Sequence, residues 1–202
     1  MKKLLYLFLT VLIVACSGED GGNDNNSNDE DNNDGDNTVL TCSGDNPVYL
    51  ADNGVTIKAC DFANVGDTGV INGITYTVVD EAMLREMVEN EQDVTKLATT
   101  KVTDMKLMFY ENSTFNQPIG NWDVSNVTNM GGMFTIATSF NQPIGNWDMS
   151  NVTNMAYMFG DATSYNQDLS SWSVDGVTQC LQFSDGANSW TLPQPNFTNC
   201  TP

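Results

Sequence analysis

Asp123 and Asp148 stand 25 residues apart, at the same position of two nearly identical segments. The first reads FNQPIGNWDVSNVTNMGGMFTIATS (residues 115–139) and the second FNQPIGNWDMSNVTNMAYMFGDATS (140–164). If such segments stack as neighbouring strands, the two carboxylates lie about 5 Å apart. That is close to the separation of acid and nucleophile in a retaining glycosidase. It would also suit a calcium ion held between them. The separation, however, follows from stacking any repeated residue. Acid and nucleophile roles require two carboxylates in different environments, and an open sheet face offers no pocket. The chain has no histidine, which removes the commonest general base and most nitrogen-ligated zinc sites. No Cys-x-x-Cys occurs either. The residues therefore point away from catalysis, and no cofactor or metal is expected.

The element that must position these aspartates is the repeat itself. A third, drifted copy, YNQDLSSWSVDGVTQCLQFSDGANS, covers 165–189, and an imperfect unit begins near Asp93. A fixed period of this length signals a stacked repeat architecture. Within a unit, Ile119, Trp122, Val124 and Val127 follow the spacing L-x-x-L-x-L, which predicts a short strand around Trp122–Val124. Met130, Met133, Phe134 and Ala137 fall at i, i+3, i+4 and i+7, which predicts one face of a short helix. Stacked copies then make inward ladders: Trp122, Trp147 and Trp172; Met130, Met155 and Cys180; Phe134 and Phe159. Asn116, Asn141 and Asn166, with Gln117, Gln142 and Gln167, are expected to hydrogen-bond turn backbone along the stack. With Trp122 and Val124 inward, the strand's outer face carries Asn121, Asp123 and Ser125. Its equivalents are Asn146, Asp148, Ser150 and then Ser171, Ser173, Asp175. This polar, mildly acidic strip is the candidate partner-binding surface.

The expected fold class is α/β: a short leucine-rich-repeat-like solenoid over 93–190, with a C-terminal cap at 191–202 and a small β-rich cap at 39–92. In the β-rich cap, Val48–Leu50 and Val55–Ile57 flank Asp52-Asn53-Gly54, and Val70-Ile71 and Ile74–Val79 flank Asn72-Gly73. Asp80 is placed to cap a helix from Glu81 to about Asn90. Cys42, Cys60, Cys180 and Cys200 allow three pairings. The two local ones, Cys42–Cys60 and Cys180–Cys200, close short loops and are expected, one bracing each end.

Residues 1–15 read as a secretion signal: Lys2 and Lys3 precede an apolar run too short to span a bilayer. The segment ends Ile13-Val14-Ala15-Cys16, which resembles the lipobox of bacterial lipoproteins and implies lipidation at Cys16. Residues 16–38 then read as a disordered acidic tether of Asn, Asp, Gly and Ser. Across the chain 7 basic residues face 26 acidic ones, giving −19 at pH 7. No Lys or Arg follows Lys106. Nucleic acid is excluded as a partner on this charge, and the membrane is reached through the lipid anchor only.

The phrase W-D-V-S-N-V-T-N-M-x-x-M-F, repeated every 25 residues, resembles the BspA-family leucine-rich repeat surface lipoproteins. The resemblance covers roughly Val94 to Ser189 and departs in the third copy, where Cys180 and Phe183 replace methionines and Ser184 replaces Phe. It implies a short solenoid, display at the cell surface, and adhesion or protein binding without enzymatic activity; the outer membrane is implied instead by the resemblance to lipoproteins, because Ser17 and not Asp follows Cys16. A monomer that recognises a protein, or a glycan, is the expectation. The alternatives are a structural envelope lipoprotein with no external partner and a calcium-dependent glycan-binding module.

Overall fold

The computed structural model describes residue 42 and residues 44–202. The signal segment, Cys16 and the tether lie outside the described residues. The first hairpin pairs β1 (Val48–Leu50) with β2 (Ile57–Ala59), in the register Val48↔Ala59. β2 begins two residues later than the sequence suggests. The Asn53 carboxamide explains this, because it accepts from Val55 N and Thr56 N at 3.0 and 2.9 Å and holds both residues in the turn. The second hairpin pairs β3 (Thr68–Ile71) with β4 (Ile74–Val78) through Asn72 and Gly73. Both turn residues have positive φ, 50° and 79°. That is the two-residue hairpin geometry that Asn-Gly favours.

α1 (Glu81–Glu89) starts where Asp80 accepts from Met83 N at 2.9 Å. It buries Leu84 and leans Met83, Met87 and Val88 on the main core. The chain then forms β5 (Leu97–Ala98), which pairs in parallel with β4. This β4-α1-β5 crossover joins the N-terminal module to the repeats. A second joint is the parallel bridge Ile57↔Trp122, with Ile57 N donating to Asn121 O at 2.8 Å.

From Asp104 onward each unit hydrogen-bonds to the next. Single parallel bridges link Asp104, Asn129, Asn154 and Gln179 in turn. The local elements differ from the sequence expectation in two ways. No strand forms around Trp122–Val124, where Trp122 N and Val127 N close turns onto Ile119 O and Val124 O. The extended contact falls at Asn129 and its equivalents. Nor does Met130–Ala137 form a helix; it is a run of tight turns. Residues 130, 132, 134 and 136 donate their N–H groups to carbonyls of the next unit, at 2.8 Å each. Residues 133, 135 and 137 close bonds three residues back. A left-handed residue at 132 and another at 136, with φ of 65° and 60°, set this alternation. Equivalent left-handed pairs stand at 107 and 111, 157 and 161, and 182 and 186. The helix-like spacing of Met130, Met133, Phe134 and Ala137 survives because turns three residues long also return side chains to one side. All four are buried.

The interior is a stack of like residues. Phe134 lies 5.5 Å from Phe109 and 5.4 Å from Phe159, and Phe140 lies 5.8 Å from Phe115 and 5.7 Å from Tyr165. Three of the four tryptophans donate their indole N–H to a carbonyl 28 residues back: Trp122 to Val94, Trp147 to Ile119 and Trp172 to Ile144. At the C-terminal end Trp190 sits edge-on to Tyr165 at 4.7 Å, and Phe197 covers Phe183 at 5.0 Å.

Cys42 is bonded to Cys60 and Cys180 to Cys200. The second bridge pins the terminal segment across a sequence separation of 20. Loop-closure entropy for that length is about 3 kcal/mol. Cys180→Ser/Cys200→Ser is therefore expected to lower the urea unfolding free energy by about that amount. An unchanged midpoint would show that Phe197 and Trp190 hold the end without the bridge.

Candidate functional site

The structure deals unequally with the nine residues of the strip. Asn121, Asn146 and Ser171 spend their side chains on the preceding unit, donating to Thr95 O, Gly120 O and Gly145 O at 3.1, 2.7 and 2.8 Å. They are rungs of the stack first and surface second.

Asp123 departs from its expected outward place, being only 2% exposed. Its Oδ1 accepts from Ser125 N and Oγ at 3.2 and 2.7 Å and lies 3.6 Å from Lys58 Nζ. The cause is β2, which docks on Trp122 and brings Lys58 down over the carboxylate. Lys58 also reaches Ser125 Oγ at 3.5 Å, so Ser125 is half-covered as well. A carboxylate closed off in this way meets no ligand.

At the other end of the strip the C-terminal segment bonds Asp175, which stays exposed. Thr198 Oγ1 donates to Asp175 Oδ1 at 3.4 Å and Asn199 Nδ2 to Asp175 O at 2.7 Å. Asp148, Ser150 and Ser173, like Asp175, are open to solvent. Asp148 Oδ1 accepts from Ser150 N at 3.0 Å. Hydrogen bonding from Ser150, with a smaller contribution from Lys58, holds the Asp148 carboxyl below the ordinary carboxylate value. Asp168 is lowered in the same way by Ser170. Among the described residues no group of three or more His, Cys, Asp or Glu is placed to hold a metal ion.

These lowered values carry a sign. A carboxylate that is more acidic folded than unfolded stabilises the fold above its unfolded value, near 3.8, and that contribution is lost as pH falls through the folded value. Self-repulsion in so acidic a chain works the other way, since acid relieves it. The variant difference separates the two effects. Between pH 5 and pH 3, Asp148→Asn/Asp168→Asn is expected to lose less thermal stability than the parent. Parallel melting curves across that window would sink the assignment.

Beside the strip lies an open groove of about 470 Å³. Val55, Ile74 and Tyr76 of the N-terminal module form one wall, Pro118 and Pro143 the other, and Asn121 and Asn146 the rim. Val55 and Ile74 are both more than 40% exposed. The sequence reading missed this groove, because its walls come from segments more than 40 residues apart. A second concave surface lies on the turns, where Leu107, Tyr110, Tyr157 and Leu181 are exposed.

Two structural features stand out: a 25-residue unit whose alternate turn residues bond the next unit, and a small β module docked on its first turns. A family model described as "Mycoplasma protein of unknown function, DUF285" matches residues 80–196, and the chain belongs to this family. No curated protein matches the chain. No solved structure matches it.

Proposed function

We propose that this chain is an exported, lipid-anchored bacterial surface protein of the BspA-like kind that acts by non-covalent recognition. Its repeats form a short leucine-rich-repeat-like solenoid, and Cys16 carries the anchor at the outer membrane. Membership of DUF285 supports this reading, since that family is associated with BspA-like surface repeat proteins. The observation that carries it is the groove walled by Ile74, Tyr76, Pro118 and Pro143, with Asn146 at its rim and Asp148 and Ser150 beside it. Apolar walls with a few polar groups at the rim are what a recognition site needs. Exposed apolar residues gathered between two modules stabilise neither.

Two measurements test it. Protease shaving of intact cells should release fragments of the repeats; a protected array would favour a structural envelope role instead. Ile74→Lys/Asn146→Ala should abolish capture of surface protein by the exported chain while leaving its melting curve in place. Undiminished capture would remove this groove from the reading.

A further inference from the structure

The two central units are identical at 20 of 25 positions, so the five that differ are informative. One pair, Val124 and Met149, is buried core. The other four are Gly131/Ala156, Gly132/Tyr157, Thr135/Gly160 and Ile136/Asp161. All four fall within six consecutive residues, on the turns. Most positions held constant are core or bond a neighbouring unit through their side chains; of the four turn positions that vary, Thr135 does so, its Oγ1 donating to Tyr157 O, and the others bond through backbone that any residue supplies.

The flanking units extend the pattern. The column 107, 132, 157, 182 reads Leu, Gly, Tyr, Gln on one backbone conformation, with φ of 56°, 65°, 58° and 50°. Left-handed backbone favours glycine, and a bulky residue there is strained by about 1–2 kcal/mol. Leu107 and Tyr157 accept that strain and are also 46% and 43% exposed. The turns impose the left-handed backbone in every unit, but a large apolar side chain on it, held out in solvent, adds nothing to the core.

Gly132 makes a notch between them. A Cβ there would meet Leu107 Cδ2 at 2.6 Å. The resulting groove holds about 330 Å³, with Leu107 and Tyr110 on one side and Tyr157 on the other. Leu181, 57% exposed, continues the apolar line. Backbone groups on this face are already used: Leu107, Gly132 and Tyr157 donate their N–H groups to the next unit. An added strand therefore finds nothing to pair with, and recognition must run through side chains. Exposed Glu111, Asp161 and Asp185 lie on these turns; of the two cations there, Lys106 lines the groove and Arg85 is engaged by Glu81 at 2.9 Å and Asp104 at 3.9 Å.

We infer that this turn face docks a cationic polypeptide segment whose bulky apolar side chain enters the Gly132 notch. The acidic residues would steer the segment, and the apolar anchor would supply most of the affinity. An anionic ligand is repelled by a chain of −19, and so is a second copy of it. The inference rests on the recognition reading but uses a different surface, so the two can fail separately.

The test is calorimetry of the exported chain with a Lys/Arg-rich peptide carrying one central Trp. Controls are the same peptide with Ala for Trp, a Glu-rich version, and a neutral oligosaccharide. Binding is expected for the first peptide alone, weakening as salt rises. Gly132→Tyr should abolish it. Tyr157 holds the same backbone conformation one unit on, and the exposed end of Leu107 must turn aside to admit the new side chain, so an unchanged melting curve of Gly132→Tyr is required alongside. Tyr157→Ser and Asp161→Asn/Asp185→Asn should each weaken binding about tenfold. Absence of binding, equal binding by Gly132→Tyr, or preference for the oligosaccharide overturns the turn-face inference. Self-association abolished by Gly132→Tyr also overturns it, in favour of a dimer. If the Ile74 and Asn146 variants still abolish capture in any of these cases, the recognition reading stands without this surface.

Discussion

Trp122→Ala is expected to lower the unfolding free energy by about 3–5 kcal/mol, as truncation of a fully buried aromatic does. Trp122 has no exposed surface. Its ring stacks 6.0 Å from Phe109, its indole donates to Val94 O at 3.0 Å, and its backbone bridges Ile57. It therefore ties the first units to each other and to the N-terminal module. The damage should spread, since each unit rests only on its neighbours. Trp122→Phe divides the cost. It keeps most of the packing but leaves the buried Val94 carbonyl without its donor, a loss of about 1–3 kcal/mol. Urea unfolding of both variants measures the split. A Trp122→Ala variant within about 1 kcal/mol of the parent would mean the joint is held elsewhere, with the β4-α1-β5 crossover the first place to look.

The inward half of each repeat was legible from residue type alone. Tryptophan, methionine and phenylalanine recurring at 25-residue intervals have nowhere to go but the interior, and all are buried there. The amide residues were legible in role as well: Asn116 Oδ1 accepts from Asn141 N, and Asn141 Oδ1 from Asn166 N, at 3.0 and 2.9 Å. Backbone conformation was not legible. Nothing about Leu107, Ile136 or Tyr157 signals positive φ, so helical spacing was read as helix where alternating turns occur. Coverage of the strip was equally hidden. It depends on Lys58 reaching Asp123 from a hairpin 65 residues earlier in the chain. The turn face did leave a trace, in four of the five positions where the two copies disagree. Attention to what repeats passes over it.

Lys58→Met is expected to cost about 3–5 kcal/mol, a large effect for a change at the edge of a small module. The reason lies in the asymmetry of the pair. Lys58 keeps 29% of its side chain exposed, whereas Asp123 keeps 1%. Either partner could be lost, but the consequences differ. Without Lys58 the Asp123 carboxylate stays buried, with Oδ2 already lacking a hydrogen-bond partner. Without Asp123 the lysine can turn to water, so Asp123→Asn should be the milder change. Lys58→Met/Asp123→Asn should recover most of the loss, because replacing both members of a buried pair is often close to neutral. Asp148→Ala makes the contrast within the same frame position. Its carboxylate is exposed and gives up one hydrogen bond from Ser150, worth about 1 kcal/mol or less. Two aspartates that the sequence treats as equivalent are thus expected to differ several-fold in their effect on stability. The difference comes from one lysine carried on a hairpin outside the repeats. A full cycle on Lys58 and Asp123, with Asp148→Ala as reference, decides it. Equal costs for Asp123→Ala and Asp148→Ala would mean that β2 does not close over Trp122 in solution.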